Sequence, residues 1–224
     1  MSRRSATPDG ITPELMLRAY AIGVFPMAES AHDPWLHWVE PKIRGVVPLT
    51  GLHISKSLAK VIRSDRFEIR IDHDFDAVLE ACATLHGNTW ISYRLRDLYR
   101  ALFRQGHVHT VETWQNEQLV GGLFGISLGG AFFGESMFHI ARDASKTALT
   151  FLVARLLHGG YRLLDTQFLT PHLKSMGGIE LARNDYLAYL EDALAQTGDF
   201  FRLDKEEARN GEVVLRFLYQ RRAV

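Results

Sequence analysis

Two polar residues, Asp165 and Gln167, stand in an otherwise apolar stretch that runs from Leu163 to Leu169. Such a stretch is typical of a short buried strand. Strand side chains alternate between faces, so the acid and the amide project from one face, about 7 Å apart. Burying two neighbouring polar groups is costly unless they have partners. They therefore meet solvent at a strand end, cap a neighbouring loop, or belong to a site that binds a polar group.

A third polar residue, Glu135, lies in another predicted strand whose surroundings are apolar and rich in glycine. Glycine inside a strand usually marks a bulge or a close approach of backbone or ligand. The in-strand glycines are Gly121, Gly122, Gly125 and Gly134, and the apolar residues that could form a wall are Leu123, Met137, Leu152 and Leu164. Each of these apolar residues alone is more typical of a core. Together with the three polar residues they predict a cavity for an apolar side chain, edged by acids that could hold an amine.

Several familiar catalytic motifs do not fit this sequence. The run from Gly134 to Phe138 lacks the final glycine of a serine nucleophile elbow, and its serine lies in a predicted strand. His107 and His109 could face one way, but no third metal ligand of suitable spacing follows them, so we interpret them as structural. Neither a phosphate loop nor a dinucleotide-binding glycine motif is present. No metal and no nucleotide cofactor is predicted.

Length, composition and charge indicate an ordinary globular protein. The chain has 224 residues, of which 46% are apolar, and its 26 basic residues are balanced by 26 acidic ones. Any binding to nucleic acid would therefore need a local basic patch. Cys82 is the only cysteine, which excludes an internal disulfide and a cysteine-based zinc site. Neither a signal peptide nor a membrane span is predicted, so we expect a cytoplasmic protein.

The elements that position the polar residues follow from hydrophobic spacing, helix caps and glycine stops. Helices are predicted over residues 13–22, 56–63, 75–83, 93–105, 145–158, 171–176 and 185–197, and strands over 44–49, 67–71, 109–114, 119–127, 131–137, 163–169 and 212–219. The aromatic segment from Phe25 to Trp38 is interpreted as a packed loop that serves either as core or as the wall of a pocket.

Three strands joined by short turns, then a long helix, a strand and a helix predict an α+β fold with a parallel pair at the centre of its sheet. This order is that of the acetyltransferase-like (GNAT) fold, in which central strands splay and ligands bind near the splay. An acyl-CoA enzyme of that fold would carry a glycine-containing pyrophosphate turn before its long helix. The run from Ile140 to Lys146 has no glycine, so coenzyme A is disfavoured.

Two predicted helices are basic. Lys56, Lys60 and Arg63 share one face of the first at i, i+4 and i+7, and Arg94, Arg96, Arg100 and Arg104 lie on the second. Such a helix is usually a solvated surface, and phosphate binding is the less common alternative.

Over nearly its whole length the chain resembles the bacterial leucyl/phenylalanyl-tRNA–protein transferases. No single motif decides this, but many occur in order and with matching spacing. The matching stretches are Tyr20…Gly23-x-Phe25-Pro26, Leu52-His53-Ile54-Ser55-Lys56-Ser57, Thr89-Trp90-Ile91, Gly106-His107-x-His109-x-x-Glu112-x-Trp114, Leu119-Val120-Gly121-Gly122, Gly134-Glu135-Ser136-Met137-Phe138, Ala144-Ser145-Lys146-Thr147-Ala148-Leu149, Asp165-x-Gln167 and Asp185-Tyr186-Leu187.

The resemblance implies transfer of leucine or phenylalanine, with methionine as a further candidate, from aminoacyl-tRNA to proteins that begin with Arg or Lys. That transfer would mark the acceptors for N-end rule degradation. It also implies a small N-terminal α/β domain, here residues 1–62, and a GNAT-like catalytic domain, residues 63–224. No cofactor is implied, and we expect a monomer.

By the same resemblance, Gln167 contacts the attacking amine and Asp165 orients and polarises Gln167. Because a neutral amide is a poor Brønsted base, we favour a positioning role for Gln167. The resemblance further implies that Glu135 helps to hold the amines and that Trp90 stacks on the terminal adenine of the tRNA. Met27 replaces a second tryptophan found there in some members.

The same family likeness assigns the remaining contacts. The donor side chain would fill the space between Leu123, Met137, Leu152 and Leu164, while Lys56, Lys60 and Arg63 would meet acceptor-stem phosphates. Two other functions compete with this one. They are an acyl-CoA-dependent N-acyltransferase of the same fold and a non-catalytic RNA-binding module.

Overall fold

The computed structural model describes residues 3–4, 10–85, 87, 89–203 and 210–222. Its helices are α1 (Pro13–Ala21), α2 (Lys56–Arg63), α3 (Phe75–Thr84), α4 (Tyr93–Arg104), α5 (Ala144–His158), α6 (Pro171–Ser175), α7 (Arg183–Leu194) and α8 (Gly211–Arg222). Its strands are β1 (Arg3–Arg4), β2 (Phe25–Met27), β3 (His37–Val39), β4 (Ile43–Val46), β5 (Glu68–Ile71), β6 (Val108–Gln115), β7 (Gln118–Leu128), β8 (Ala131–His139), β9 (Leu163–Gln167) and β10 (Ile179–Ala182).

A seven-stranded mixed sheet forms the centre of the protein, in the order β10-β4-β9-β8-β7-β6-β5. Only β8 and β9 pair in parallel, and the crossover helix α5 joins them. A second sheet of order β1-β3-β2 is small. The predicted α+β class and its central parallel pair are confirmed.

Two apolar cores lie on the two faces of the large sheet. Successive residues of one strand enter different cores, as Phe132 and Phe133 of β8 do. Helices α1, α3, α4 and α7 supply the core that contains Phe133, and α2, α5 and α8 supply the other. Within the described residues, no helix combines the length and apolar character needed to cross a bilayer.

Most predicted elements are present, with ends displaced by at most three residues. The side chains of Thr12, Ser55 and Asp74 accept hydrogen bonds from the first turns of α1, α2 and α3 and so cap these helices. The short strands β2, β3 and β10 were not predicted, since three or four residues carry too little pattern.

The predicted strand over residues 212–219 is wrong, because this segment is helix α8. Val214, Leu215 and Leu218 are its buried hydrophobic residues, and they recur at helical rather than alternating spacing. The Asn210 side chain accepts a hydrogen bond from the Val213 amide at 3.1 Å and so caps the helix. Packing against α2 and α5 overrides the strand preference of the two valines.

The expected domain boundary at residue 62 lies between elements that pack together. Strand β4 precedes it, yet β4 is an interior strand of the large sheet. Helix α2 also precedes it and packs against α5 and α8. The division into residues 1–62 and 63–224 stays a prediction.

The arginines of α4 are mostly held by neighbouring groups. Arg96 is 5% exposed and bonds Glu80 at 2.6 Å, while Arg100 bonds Asp76 at 2.7 Å. Arg94 donates to the Ile11 carbonyl at 3.1 Å. These contacts favour the structural interpretation of this basic helix over phosphate binding.

Two in-strand glycines of β7 are explained by close packing. A Cβ at Gly121 would lie 2.5 Å from the Cβ of Ala144, so the start of α5 sits directly on the sheet there. A Cβ at Gly125 would lie 2.3 Å from the Phe133 carbonyl oxygen, next to an irregularity in the β7–β8 ladder. Both the bulge and the close approach expected of these glycines are present.

Candidate functional site

A pocket opens where the two parallel strands diverge. The β8–β9 pairing extends from Ala131–Leu163 to Phe133–Asp165 only, while β8 continues to His139. The pocket between the diverging ends has a volume of about 480 Å³. Its lining residues are Phe25, Met27, Trp90, Leu123, Gly134, Glu135, Ser136, Met137, His139, Ser145, Leu149, Leu152, Leu164, Thr166, Gln167, Phe168, Thr170, His172 and Leu173.

Most of the residues predicted for the site meet in this pocket. They are Met27, Trp90, Leu123, Glu135, Met137, Leu152, Leu164 and Gln167. Asp165 lies behind the wall and is fully buried. Lys56, Lys60 and Arg63 are exposed on α2 and do not line the pocket.

Some lining residues were missed by the sequence analysis. Leu149 precedes Leu152 by three positions on α5, so helical spacing could have found it. Phe25 belongs to the aromatic segment that was interpreted as core or pocket wall, and it serves as both. His172 and Leu173 lie on the short helix α6, where no local pattern marks them.

A β-bulge aims Glu135 at the pocket. Phe124 of β7 pairs with Ser136 and Gly125 pairs with Gly134, so Glu135 is the extra residue of β8. The bulge takes Glu135 out of regular pairing, and the residue remains only 7% exposed.

Hydrogen bonds hold the carboxyl group of Glu135 from two directions. The Tyr99 hydroxyl donates to Oε2 at 2.7 Å, and the Gln167 amide Nε2 donates to Oε1 at 3.3 Å. The Tyr20 hydroxyl lies close by without meeting the geometry of a hydrogen bond. Burial raises the pKa of Glu135 to about 7 despite the donors around it.

Gln167 has a rare backbone conformation at the end of β9. Its φ is +56°, and the Phe168 amide donates to the Thr166 carbonyl at 2.6 Å, closing a tight turn around it. A residue other than glycine adopts this conformation only when its surroundings hold it there. Asp165 Oδ1 stabilises this conformation by accepting a hydrogen bond from the Gln167 main-chain amide at 2.8 Å.

Asp165 forms a buried ion pair with Arg44 of β4. Arg44 Nε and Nη2 donate to the carboxylate at 2.9 and 2.7 Å, and its Nη1 donates to the Gly23 carbonyl at 3.0 Å. The Tyr186 hydroxyl adds a bond to Asp165 Oδ2 at 2.8 Å. The Arg44 guanidinium also lies 4.6 and 4.7 Å from the ring centroids of Phe25 and Tyr186.

The titration of this group follows from burial and charge. Burial lowers the pKa of Arg44, but the charge and hydrogen bonds of Asp165, together with Tyr186 and Tyr20, outweigh burial, so the pKa is raised. Burial and then the Asp165 charge raise the pKa of Tyr186. Both side chains therefore keep their protons at physiological pH and remain donors to Asp165. The hydrogen bonds from Arg44 and Tyr186 to Asp165 hold in place the end of β9, which carries Gln167.

Three further polar lining residues are His139 at the end of β8, Ser145 in the first turn of α5 and His172 on α6. Burial lowers the pKa of His172, and the charges of Lys146 and His139 add to this effect. Its Nε2 atom is buried without a hydrogen-bond partner. The pocket thus combines a largely apolar lining with polar groups from several elements.

The histidines weighed as metal ligands have other partners. His109 Nδ1 lies 2.8 Å from Asp72, and His107 Nδ1 lies 3.4 Å from the Ser127 carbonyl. A separate group, Glu29, Asp33 and His37, brings its ligand atoms within 4.8 Å of one another, but none of the three lines the pocket. Asp33 there accepts bonds from the main-chain amides of Glu29 and Trp35.

Comparison with known proteins decides the family. A profile described as leucyl/phenylalanyl-tRNA protein transferase matches residues 46–191, and the profile of its N-terminal domain matches residues 9–42. The chain belongs to this family. The resemblance seen in the sequence is therefore confirmed.

Relatives from several bacteria cover nearly the whole chain. A leucyl/phenylalanyl-tRNA--protein transferase of Afipia carboxidovorans is 54% identical, over 96% of each chain. One from Nitrobacter winogradskyi is 53% identical over 99% of each chain. One from Rhodopseudomonas palustris is 52% identical, over 92% of this chain and 91% of the relative.

Proposed function

We propose that the protein transfers leucine or phenylalanine, with methionine as a further donor, from aminoacyl-tRNA to the N-terminal Arg or Lys of acceptor proteins. A new peptide bond forms, and the acceptor is marked for N-end rule degradation. The names of the relatives support the reaction. The observation that carries it here is a largely apolar pocket in whose lining Gln167 and Glu135 are hydrogen-bonded to each other.

The chemistry requires little beyond binding and orientation. An aminoacyl ester is already activated, so neither ATP nor a metal ion is needed. Holding the ester carbonyl beside an amine converts a bimolecular reaction into an effectively unimolecular one. Gln167 orients the amine, and Asp165 acts on Gln167 through the main chain, by fixing the turn at the end of β9.

The donor side chain is proposed to lie along Leu123, Met137, Leu152 and Leu164. Leu123, Leu152 and Leu164 are buried core residues, whereas Met137 is only partly buried. Met137 is therefore the wall residue that can change size with least damage to the core.

Met137→Trp is expected to reduce phenylalanine transfer about tenfold more than leucine transfer, because a narrower pocket rejects the larger ring, and Met137→Ala should shift preference the other way. The measurement is a competition between Leu-tRNA and Phe-tRNA for one Arg-peptide. Leu85→Trp, at an exposed residue outside the pocket, is the control. An unchanged Phe/Leu ratio in both Met137 variants would remove Met137 from the donor site.

The terminal adenosine is proposed to bind between Trp90 and Met27. The Ala28 main-chain amide donates to the Trp90 carbonyl at 3.2 Å, which ties the end of β2 to the tryptophan. Stacking of an unpaired base on tryptophan is sequence-tolerant and contributes about 1–3 kcal/mol. With Met27 opposite, one side of this stack is aliphatic.

The acceptor stem is proposed to contact α2. Lys60 makes no ion pair within the described residues, whereas Arg63 pairs with Glu212 of α8 at 2.9 Å. Part of the Arg63 charge is therefore already neutralised.

Lys60→Ala is expected to weaken tRNA binding and to lower the slope of log K against log salt concentration by about one. Arg63→Ala should have a smaller effect, and Glu212→Gln should strengthen binding by releasing Arg63. Filter binding at several salt concentrations measures all three. Arg18→Ala, on α1 at the opposite face of the sheet, is the control. Equal effects of Arg18→Ala and Lys60→Ala would argue against a specific α2 contact.

A central parallel pair that diverges around a bulge supports a GNAT-like catalytic domain following a small N-terminal domain. The start of α5 lacks the glycine turn of acyl-CoA enzymes, and it places the acidic Asp143 there with φ +69°. Aminoacyl-tRNA is therefore favoured over coenzyme A as donor. We propose a monomer that acts in the cytoplasm.

The test is transfer of label from radiolabelled Leu-tRNA to a peptide that begins with Arg. Gln167→Ala should reduce transfer about 100-fold, because a misplaced amine costs that much, while Gln196→Ala at an exposed site should not. No labelling by the unmutated protein would overturn the proposal. Retained tRNA binding in that case would favour an RNA-binding module, and labelling from an acyl-CoA would favour the N-acyltransferase. Full activity of Gln167→Ala would contradict the role of that residue alone.

A further inference from the structure

The reaction must remove a proton from the acceptor amine, and few groups in the pocket can accept it. An N-terminal α-amine is largely an ammonium ion at neutral pH, since its pKa is about 7.7–8.0. Among the described lining residues, Glu135 is the only carboxylic acid, and His139 and His172 are the only histidines. His139 is exposed, and burial with the charge of Lys146 on α5 lowers the pKa of His172, which makes it a weaker base.

The carboxylate of Asp165, two residues before Gln167, already has hydrogen-bond partners and is not free to act as the base. Its oxygens already accept bonds from Arg44, Tyr186 and the Gln167 main chain, and it is 0% exposed. A proton on Asp165 would break the buried pair with Arg44. Gln167 itself, as a neutral amide, is too weak a base.

The hydrogen bond between Gln167 and Glu135 fixes which atoms face a bound amine. Because a carboxylate only accepts, the Gln167 amide must turn its Nε2 toward Glu135 Oε1, at 3.3 Å. The Gln167 Oε1 atom then has no partner within the described residues and remains free to accept. Glu135 Oε1 has this one long bond, whereas its Oε2 is held by Tyr99 at 2.7 Å.

We propose that Glu135 is the general base that deprotonates the α-ammonium of the acceptor protein, while Gln167 Oε1 holds the same nitrogen. This inference rests on the proposed function and deepens it. The lone pair of the neutral amine attacks the ester carbonyl carbon and forms a tetrahedral intermediate. As the C–O bond to the ribose breaks, the nitrogen loses a second proton, which passes to the ribose oxygen. The products are the amide and tRNA with a free hydroxyl, and the first proton leaves from Glu135 to solvent.

The groups packed around Glu135 set its pKa for proton transfer from the amine. Burial raises its pKa to about 7, the hydrogen bond from Tyr99 of α4 acts against the rise, and the Tyr20 hydroxyl of α1 lies close by. The charge of Asp165 on β9 raises it further, and that of Arg44 on β4 lowers it. A base with a pKa near that of the ammonium it deprotonates is well matched to neutral pH.

The test is single-turnover transfer from Leu-tRNA to an Arg-peptide between pH 6 and pH 9, corrected for spontaneous ester hydrolysis. Glu135→Gln should lose about 100-fold or more of the rate at pH 7. The deficit should shrink to about tenfold or less at pH 9, where most of the peptide amine is already neutral. The KM for Leu-tRNA should stay within about threefold of the unmutated value. Tyr99→Phe, which removes a donor to the carboxylate, should shift the acidic limb of the profile to higher pH.

Two results would overturn the inference. One is a loss in Glu135→Gln that is the same at every pH, together with a raised KM for Leu-tRNA, which would mean that Glu135 holds the donor's own ammonium. The other is near-normal activity of Glu135→Gln at pH 7. Glu180→Gln, at an exposed glutamate, controls for the substitution itself. Failure of the unmutated protein to label the peptide would sink the proposed function, and this inference with it.

Discussion

Asp165→Ala is expected to destabilise the protein by about 3–5 kcal/mol, because it leaves the charge of Arg44 buried and unpaired. Arg44 is 1% exposed, and the substitution removes all of its bonds to side chains. Tyr186 loses its acceptor, and the tight turn at Gln167 loses the bond from Asp165 Oδ1. Urea unfolding followed by circular dichroism measures the loss. Asp192→Ala, at an exposed acid, should change stability by less than about 0.5 kcal/mol.

A double-mutant cycle separates the ion pair from the rest of the effect. Arg44→Met should cost nearly as much as Asp165→Ala, since it leaves the opposite charge unpaired. The double variant Arg44→Met/Asp165→Leu should be more stable than either single variant, because no buried charge remains. Additive losses would show that the two side chains do not stabilise each other, contrary to their geometry.

In an Asp165 variant, loss of folded protein and loss of reaction both lower the measured transfer. The carboxylate contacts the main-chain amide of Gln167, while the Gln167 side chain bonds Glu135. Asp165 therefore acts on Gln167 by fixing its backbone. A loss of transfer in Asp165→Ala has to be corrected for the unfolded fraction before it counts as evidence of a role in the reaction.

The partner of Asp165 could not be predicted from the sequence. The strand over Leu163–Gln167 was predictable because its apolar pattern is local. Arg44 is 121 positions away in the sequence, and no spacing rule connects the two residues. Only the sheet order, which inserts β4 between β9 and β10, brings them together. The two polar residues that lacked partners in the sequence obtain them from this long-range pairing.

The pocket also has parts that the sequence predicts and parts that it does not. Its wall on β7, β8 and α5 was predicted from glycines and apolar residues inside elements that were themselves predicted. The direction of the Glu135 side chain depends on a one-residue bulge. The glycines predicted a bulge in these strands but not its position. The contribution of α6 was missed because that helix has five residues and none of them is buried. Helix α8 was mistaken for a strand because its valines favour strands, and only packing decides otherwise.

Glu135→Gln is expected to stabilise the protein at pH 8 by about 3 kcal/mol. The pKa of Glu135 rises from about 4.5 to about 7 on folding, so the folded state holds a proton that the unfolded state has lost. Stability therefore falls as the pH rises from about 4.5 to about 7, and the cost is complete above that range. Glutamine keeps the shape and the bond from Tyr99 without the charge. Urea unfolding of both proteins from pH 4.5 to pH 8 measures the difference.

The difference between variant and unmutated protein, and not the stability of either alone, isolates this one carboxyl group. It should be small at pH 4.5 and should grow to its full size by pH 8, while Glu180→Gln should show no such trend. A pH-independent difference would mean that the Glu135 carboxyl titrates at an ordinary pKa, which would also deprive it of its match to the acceptor amine. A residue that costs stability when charged, but is placed by a bulge in the wall of the pocket, is difficult to explain by folding alone. If Glu135→Gln gains stability over the same pH range in which it loses transfer, the buried charge of Glu135 serves the reaction rather than the fold.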